Sequence, residues 1–190
     1  QISAHDLKNP LQGIYGLVSI LEMQYENLDP EDVNDLIRSI KTATETANSI
    51  IQDLLEVQAI EEGKMLFKAA ATDIIEATKR VIDDFKLRIE EKDQTVLLDS
   101  EEPAFVANVD PAKFERVVAN LLSNALKFSP SGKRVWIKIY SGTNRSGQRS
   151  VTVEVKDEGP GIKRSEFDRL FTPFGKLSTR PTNNEPSTGL

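Results

Sequence analysis

The sequence predicts two domains of different fold class, a helical hairpin over residues 1–63 and an α+β domain over residues 64–190. Two observations predict this division. Through the first part, apolar residues recur in alternating steps of three and four, which is the spacing of helices that pack along a seam. After Gly63 that spacing ends, and short alternating segments typical of strands appear between helical segments.

Two seams of this kind predict the hairpin. Asp29 and Pro30 separate them, as the N-cap and the first position of the second helix. The seam positions are Leu7, Leu11, Ile14, Val18, Leu21, Tyr25 and Leu28 in the first helix, and Val33, Ile37, Ile40, Thr44, Ala47, Ile51 and Leu54 in the second. A single hairpin leaves much of its apolar surface in water, so we expect a second copy to complete a dimeric four-helix bundle.

Capping signals and alternation predict the second domain. Asp73 with Glu76 has the pattern of a capping box and predicts a helix to about Glu91, and Asp110 with Pro111 predicts a later helix. The apolar face of that later helix is Phe114, Val117, Val118, Leu121, Leu122 and Ala125. The predicted strands are residues 95–98, 105–109, 135–140 and 151–155. Helices segregated from a mixed or antiparallel sheet are typical of α+β domains.

The composition excludes several classes of protein. With 24 basic and 30 acidic side chains the formal net charge is −6, which argues against nucleic acid as a partner, because phosphate contacts need a cationic surface. The absence of cysteine excludes disulfide scaffolds, thiolate zinc sites and cysteine nucleophiles, and it fits a reducing compartment. No apolar run approaches the roughly 20 residues of a spanning helix, so we expect no membrane contact from this segment.

The single histidine, His5, lies in the first helix beside Asp6 and one turn before Asn9. Pro10 lacks an N–H group, so the helix should bend next to these residues. An exposed imidazole beside a carboxylate is a candidate nucleophile. From these residues alone, an ordinary surface histidine beside a helical charge is the simpler interpretation.

Asn120, Asn124 and Lys127 fall on one face of the later helix, at positions i, i+4 and i+7. Amide oxygens can ligate Mg²⁺, and a lysine can meet a phosphate group. A solvated helix face is the alternative interpretation. Asparagine is a mediocre helix former, however, so two of them at this spacing modestly favour a functional site.

A third segment, residues 157–162, runs from the end of a strand into a turn rich in glycine. Gly159 and Gly161 permit close approach of a ligand to the backbone. Asp157, at the end of the strand, has a carboxylate that can accept a hydrogen bond from an exocyclic amine. The pattern is weak by itself, because an aspartate followed by glycines also forms ordinary turns.

Taken together and in this order, the motifs are specific: the chain resembles the catalytic core of two-component sensor histidine kinases. Residues 5–11 resemble the H box of that family, residues 120–127 its N box and residues 157–162 its G1 box. Residues 171–174 resemble the F box, and residues 187–190 the opening of the G2 box. The resemblance implies a dimerisation and phosphotransfer hairpin, followed by an α/β sandwich ATP-binding domain of the histidine kinase, gyrase and chaperone type.

The resemblance also implies a function, in which ATP phosphorylates His5 and the phosphoryl group passes to the receiver aspartate of a response regulator. Asp6 would orient the imidazole and take its proton. Asn9 occupies a position that the family associates with dephosphorylation of the receiver. Such a kinase is expected in the cytoplasm, either by itself or as the cytoplasmic part of a membrane-anchored sensor.

The resemblance assigns the nucleotide site in the same way. Asn120 and Asn124 would hold Mg²⁺, Lys127 would meet phosphate, and Asp157 would bind the adenine amine. The remaining nucleotide positions are Gly159, Gly161, Ile162, Phe174 and Gly189. Residues 172–188 show no periodicity and are predicted to form a mobile loop, of which 175–188 would act as a lid. The family pattern continues beyond residue 190, so we expect the sequence to be cut at both ends or to omit poorly ordered segments.

Two other functions remain open from the sequence. One is an ATP hydrolase of the gyrase and chaperone group, which usually has a glutamate at the start of the N box to activate water. Asn120 takes that place here, and Glu115 is not on the same helix face. The other is a catalytically inactive pseudokinase that serves as a dimeric scaffold, although such proteins usually lack one or more of the motif residues found here.

Overall fold

The computed structural model describes residues 4–144, 146–170 and 182. The chain divides into two compact units, with the boundary between Leu66 and Phe67. The boundary predicted from the sequence lies slightly earlier, after residue 63. Of the predicted loop over residues 172–188, Thr182 alone belongs to the described part of the chain.

The first unit is a helical hairpin. Helix α1 (Ala4–Gln24) and a short 3-10 helix (Tyr25–Asn27) precede helix α2 (Pro30–Glu61). Asp29 is the N-cap of α2 as predicted, because its Oδ1 atom accepts hydrogen bonds from the backbone N–H groups of Glu31 at 2.9 Å and Asp32 at 2.8 Å. After α2, Gly63 has a φ of +64°, a left-handed conformation that commonly follows a helix and favours glycine.

Each helix of the hairpin has two apolar stripes rather than one. The inner, partly or fully buried positions are Leu7, Pro10, Ile14, Leu17 and Leu21 of α1, and Val33, Leu36, Ile40, Ala43, Ala47, Ile50 and Leu54 of α2. The outer stripe, which stays exposed in a single chain, consists of Leu11, Val18, Tyr25, Ile37 and Ile51. The predicted seams contain members of both stripes. The inner stripe closes the hairpin, and the outer stripe is left without cover.

The described part of the second unit contains two sheets and three α-helices. Its elements are β1 (Ala70–Asp73), α3 (Ile74–Asp84), α4 (Lys86–Glu91), β2 (Thr95–Ser100), β3 (Val106–Val109), α5 (Pro111–Phe128), β4 (Arg134–Thr143), β5 (Arg149–Asp157) and a 3-10 helix (Arg164–Arg169). Strand β1 pairs with β3 in an antiparallel ribbon. The larger sheet has the order β2-β4-β5, with β2 parallel and β5 antiparallel to β4. This mixed sheet agrees with the predicted α+β class.

The helices α3 and α5 cover one face of the larger sheet. Alternate residues of β4 point into this layer and are almost fully buried, namely Val135, Ile137 and Ile139. They pack with Val118, Leu122 and Leu126 of α5 and with Val81 and Ile74 of α3. The site described below therefore rests on a helix whose opposite side is fixed in the core.

The other face of the sheet carries the single tryptophan of the chain, Trp136. The guanidinium carbon of Arg134 lies 5.1 Å from the centre of its ring, and the Nζ atom of Lys156 lies 5.6 Å from it. Both distances are within the range of cation–π contacts. Lys156 is the direct partner of Trp136 across the β4–β5 ladder, so this contact spans two strands.

Three expectations for the second unit are wrong in detail. The single helix predicted to about Glu91 is two helices, because Phe85 ends α3 with a tight turn in which its N–H bonds the Ile82 carbonyl at 3.0 Å. Strand β1 is absent from the prediction. The side chains of Val117 and Leu121, which we expect on the apolar face of α5, are exposed because Phe114, Val118, Leu122, Ala125 and Leu126 form the packed face.

The Asp73 prediction is correct for the cap and wrong for the reciprocal contact of a capping box. The Oδ1 atom of Asp73 accepts from the N–H groups of Ile75 at 2.9 Å and Glu76 at 3.4 Å. The Glu76 carboxylate instead accepts a hydrogen bond from Lys79 at 2.8 Å, one turn along the helix. That partner holds the pKa of Lys79 above its ordinary value.

Within the described residues, no helix is long and apolar enough to cross a membrane.

Adjacent leucines of α5 provide a test of this packing. Leu122 is fully buried, whereas Leu121 is 42 % exposed. We expect Leu122→Ala to lower the free energy of unfolding by about 2–5 kcal/mol, because it removes core contacts and leaves a cavity. We expect Leu121→Ala to change it by about 0.5 kcal/mol or less. Urea denaturation of both variants measures the difference, and equal losses would contradict the orientation of α5.

Candidate nucleotide-binding site

Helix α5 begins at a strong N-terminal cap. The Asp110 carboxylate accepts hydrogen bonds from the backbone N–H groups of Lys68 at 2.9 Å and Lys113 at 3.2 Å. The Lys68 bond, followed by the Lys113 bond, lowers the pKa of Asp110 because both favour the charged carboxylate. Pro111 occupies the first turn. The cap fixes where α5 starts, and hence which residues face the sheet.

The structure places the three predicted residues of α5 on the side away from the core. Asn120 and Asn124 are exposed, and Lys127 is half-buried. Glu115 lies elsewhere on the helix and is held by Arg80 of α3, whose Nε and Nη2 atoms are 3.0 and 2.6 Å from Glu115 Oε1. The amide pair thus lies on an open helix face, without Glu115 beside it.

The predicted glycine turn meets the end of α5. Asp157 is the last residue of β5, and its Oδ1 atom accepts a hydrogen bond from the Gly159 N–H at 2.7 Å. A β-carbon at Gly159 would lie 2.9 Å from the carbonyl oxygen of Phe128 and 2.7 Å from Asp157 Oδ1. Only glycine fits this approach without a shift of the backbone. Gly161 has a φ of +70°, which also favours glycine.

Glu158 ties the same turn to β4. Its Oε2 atom accepts a hydrogen bond from the Arg134 backbone N–H at 2.8 Å, and its Oε1 atom lies 3.4 Å from the Arg134 guanidinium. The backbone bond, followed by the side-chain bond, holds the pKa of Glu158 below its ordinary value. The turn that follows Asp157 is therefore anchored on two sides, by Phe128 and by Arg134.

The contribution of Phe128 to this arrangement is not predicted from the sequence. Its carbonyl oxygen forms the close contact with Gly159, and its ring centre lies 5.9 Å from the Lys127 Nζ atom. The available signal was its position directly after Lys127. That signal is weak, because an aromatic residue at the end of an amphipathic helix is usually a core residue.

The residues of α5 fit a magnesium ion held by amide groups together with a phosphorylated ligand. Asn120 and Asn124 present amide oxygens to solvent, and such oxygens suit Mg²⁺, which retains several waters. Within the described ranges, no group of three or more histidine, aspartate or glutamate side chains could hold a metal ion. Phosphate oxygens and water molecules would complete the coordination, as is usual at nucleotide sites.

The remaining predicted residues are described in part. His5 and Asp6 belong to α1, but their side chains lie outside the described residues. Asn9 is exposed on the same helix. Ile162 follows the glycine turn and is 43 % exposed. Phe174 and Gly189 lie outside the described residues.

Two family models match the chain, one to each unit. The model described as "His Kinase A (phospho-acceptor) domain" matches residues 2–63. The model described as "Histidine kinase-, DNA gyrase B-, and HSP90-like ATPase" matches residues 109–190. The chain carries the catalytic core of a two-component sensor histidine kinase. The predicted order, a helical hairpin followed by an α/β ATP-binding domain, is confirmed.

Curated relatives agree with this assignment. The chain is similar to the sensor protein KdpD of Clostridium acetobutylicum, with 32 % identity over 92 % of this chain and 19 % of that protein. It is also similar to the sensor histidine kinase YvrG of Bacillus subtilis, with 28 % identity over 97 % of this chain and 30 % of that protein. The chain thus spans less than a third of the length of these relatives.

Solved histidine kinases share the fold. The histidine kinase AdeS of Acinetobacter baumannii superposes with a TM-score of 0.68 at 22 % identity, over 90 % of this chain and 80 % of that one. Full-length ShkA in complex with AMPPNP gives 0.62 at 20 % identity, over 90 % and 35 %. ThkA in complex with the response regulator TrrA gives 0.59 at 21 % identity, over 90 % and 48 %.

The contact between Gly159 and Phe128 makes a testable prediction for this kinase core. We expect Gly159→Ala to weaken binding of an ATP analogue about ten- to a hundredfold, because relief of the clash costs about 1–3 kcal/mol and distorts the turn. Gly142→Ala is the matched control, since its β-carbon would make an ordinary contact of 3.6 Å with Thr152. Calorimetric titration of both variants measures the effect, and parent-like affinity in Gly159→Ala would contradict it.

Proposed function

We propose that this core transfers the γ-phosphoryl group of ATP to His5 and then to an aspartate of a response-regulator receiver domain. The observation that carries the proposal is the pairing of two features in one chain. The only histidine falls within the region matched by the phospho-acceptor family model, and the C-terminal end of α5, the helix that carries the amides, meets a glycine turn in the region matched by the ATPase family model.

The nucleotide would bind between the open face of α5 and the turn after β5. Asn120 and Asn124 would ligate Mg²⁺, and Lys127 would meet a phosphate group. The Gly159 N–H donates a hydrogen bond to one oxygen of the Asp157 carboxylate and orients the carboxylate. The second oxygen can then accept a hydrogen bond from the adenine amine. Bound Mg²⁺ would offset negative charge on the phosphates. Phe174 and Gly189, from the F and G2 boxes, would complete the site with Gly161 and Ile162.

The hairpin would supply the nucleophile. A neutral His5 imidazole attacks the γ-phosphorus with its free nitrogen lone pair, the bond to the bridging oxygen breaks, and ADP leaves. The proton on the other ring nitrogen passes to the adjacent Asp6 carboxylate, which also selects the reactive tautomer. Phosphoryl transfer requires positioning and charge stabilisation more than strong activation of the nucleophile, so these two residues suffice for the acceptor side.

Asn9 supports a second activity at the same place, dephosphorylation of the receiver. It is exposed one helical turn after His5. An amide can orient a water molecule towards an aspartyl phosphate, whereas phosphorylation of His5 needs only the imidazole and its carboxylate.

The proposed partners have support from the relatives with solved structures. The ThkA structure is a complex with a response regulator, and the ShkA structure contains AMPPNP. We extend both ligand classes to this chain, with ATP as the nucleotide. The proposed cytoplasmic setting follows from the function, since ATP and receiver domains are cytoplasmic.

A second copy of the chain would cover the outer stripe of the hairpin. Five apolar side chains of that stripe are exposed in one copy, with Ile51 at 41 %. Leu11, Val18 and Tyr25 are spaced by seven residues, and Ile37 and Ile51 by twice seven, which matches the seam of a bundle. A symmetric dimer buries the same stripe of both copies at once.

No observation favours the two alternative functions. The carboxylate that a hydrolase would need near Asn120 is absent from the described face of α5, because Glu115 is turned to Arg80. Curated relatives such as YvrG carry the name of sensor histidine kinase, which does not favour a pseudokinase.

Substitution of the histidine tests the kinase proposal. With γ-labelled ATP and Mg²⁺, we expect the parent chain to retain label and His5→Gln to retain none, because glutamine lacks a nucleophilic ring nitrogen. Calorimetry should show nearly equal ATP affinity in both, since His5 belongs to the acceptor and not to the nucleotide site. Asn9→Ala is the control and should keep labelling within about threefold of the parent. Label on His5→Gln would refute the assignment.

A charge in the outer stripe tests the dimer. We expect Ile51→Asp to yield monomers with unchanged helix content, because the carboxylate would be buried without a partner in the dimer but solvated in the monomer. Gln52→Asp is the control, since its side chain is an exposed neighbour outside the stripe. Sedimentation velocity and circular dichroism measure both properties. A dimeric Ile51→Asp variant would exclude this stripe as the interface.

A further inference from the structure

A buried polar cluster closes the C-terminal end of α5. Lys92 and Gln94, in the connection between α4 and β2, are only 5 % and 6 % exposed. The Lys92 ammonium donates hydrogen bonds to the Leu126 carbonyl at 2.6 Å and to the Thr182 hydroxyl at 2.9 Å. We call Lys92, Gln94 and Thr182 the α5 clamp. None of the three belongs to the motifs that define the nucleotide site.

Gln94 extends the contact along the same helix end. Its Nε2 atom lies 2.9 Å from the Ser129 carbonyl, 3.1 Å from that of Pro130 and 3.2 Å from that of Leu126. The last carbonyls of a helix lack intrahelical partners and carry partial negative charge. An ammonium group and an amide therefore offset that charge in a place that water does not reach.

The Thr182 hydroxyl links the clamp to Lys127. It accepts a hydrogen bond from Lys92, and it lies 2.9 Å from the Lys127 carbonyl and 3.0 Å from that of Ser129. A hydroxyl has one proton to donate, so it donates to one of these carbonyls while accepting from the ammonium group. The result is a chain of hydrogen bonds from Lys92 through Thr182 to the backbone of residues 127–129, with the shorter distance to the carbonyl of the proposed phosphate-binding residue Lys127.

The clamped segment is the part of α5 that adjoins the glycine turn. Leu126 and Ser129, whose carbonyls the clamp holds, flank Lys127 and Phe128. Phe128 in turn contacts Gly159 through its own carbonyl oxygen. In the sequence, Thr182 lies between Phe174 and Gly189, the two remaining nucleotide positions. The clamp thus joins Thr182 to the end of α5, which in turn meets the glycine turn.

We propose that Lys92 and Thr182 are positioning residues for nucleotide phosphate binding, acting through the backbone of Lys127. The inference rests on the proposed function and adds two residues to its site. Neither side chain touches the nucleotide. Their hydrogen bonds hold the last turn of α5, so the backbone that carries Lys127 does not have to be ordered when its ammonium group meets a phosphate, which lowers the entropy cost of binding.

The test is a double-mutant cycle on nucleotide affinity in the full chain. Lys92→Met and Thr182→Val remove the donor groups with little change in shape. Calorimetry with Mg²⁺ and AMPPNP should show each variant about tenfold weaker than the parent, and the double variant about as weak as either single one, because both break one chain of bonds. Adenosine, which has no phosphate, should bind all four proteins within about twofold.

Thr182→Ser is the conservative control and should restore affinity for AMPPNP, because it keeps the hydroxyl. Lys79→Met controls for loss of a lysine elsewhere, since Lys79 pairs with Glu76 on the exposed face of α3. If Lys92→Met does not fold, the comparison of Thr182→Val with Thr182→Ser decides the matter alone. Parent-like AMPPNP affinity in Thr182→Val, equal weakening of adenosine, or additive effects in the cycle would each overturn the positioning role. A parent chain that binds no AMPPNP would overturn the proposed function itself, and this inference with it.

Discussion

Helix α5 packs against the core with one face and carries the candidate site residues on the opposite face, so the two faces constrain each other. Val118, Leu122, Ala125 and Leu126 are almost completely buried in the core, which leaves Asn120 and Asn124 on the exposed side of the helix. Because successive residues are about 100° apart, a slip of one position would rotate both site amides away from the open face. The Asp110 cap at one end and the clamp at the other prevent such a slip. The orientation of the candidate site residues therefore depends on the core packing, even though no core side chain belongs to the site.

The end of α5 concentrates contacts that are made by the backbone rather than by side chains. The Phe128 carbonyl touches Gly159, and the neighbouring carbonyls accept from Lys92, Gln94 and Thr182. A contact to a backbone carbonyl, such as that of Phe128, tolerates many side chains at the residue that provides the carbonyl. It tolerates few at the residue that approaches the carbonyl, here Gly159. This explains why the turn needs glycine, while the sequence of the helix end is set mainly by the needs of the core.

The sequence predicted best what is encoded locally. The caps at Asp29 and Asp110 are correct because each carboxylate accepts from an N–H group within three residues of itself. The further bond from Lys68 to Asp110 is tertiary and could not be predicted in this way. Strand β1 escaped prediction because Ala70–Asp73 has no strand pattern and is extended only through pairing with β3. Lys92 escaped because its acceptors are carbonyl groups, which every residue possesses. Leu121 was misplaced because the boundary of an apolar stripe depends on how far the sheet extends beneath the helix, a tertiary property.

The environment of Trp136 has a practical consequence for spectroscopy. It is the only tryptophan, and the hairpin contains none, so indole emission arises from the second unit alone. The two cations beside its ring belong to neighbouring strands, Arg134 to β4 and Lys156 to β5. Arg134 also donates a hydrogen bond to Glu158, next to the glycine turn. Emission intensity and wavelength should thus respond to rearrangement of that turn. The second unit thus carries its own fluorophore on the strand that holds the glycine turn, and the hairpin adds no tryptophan emission.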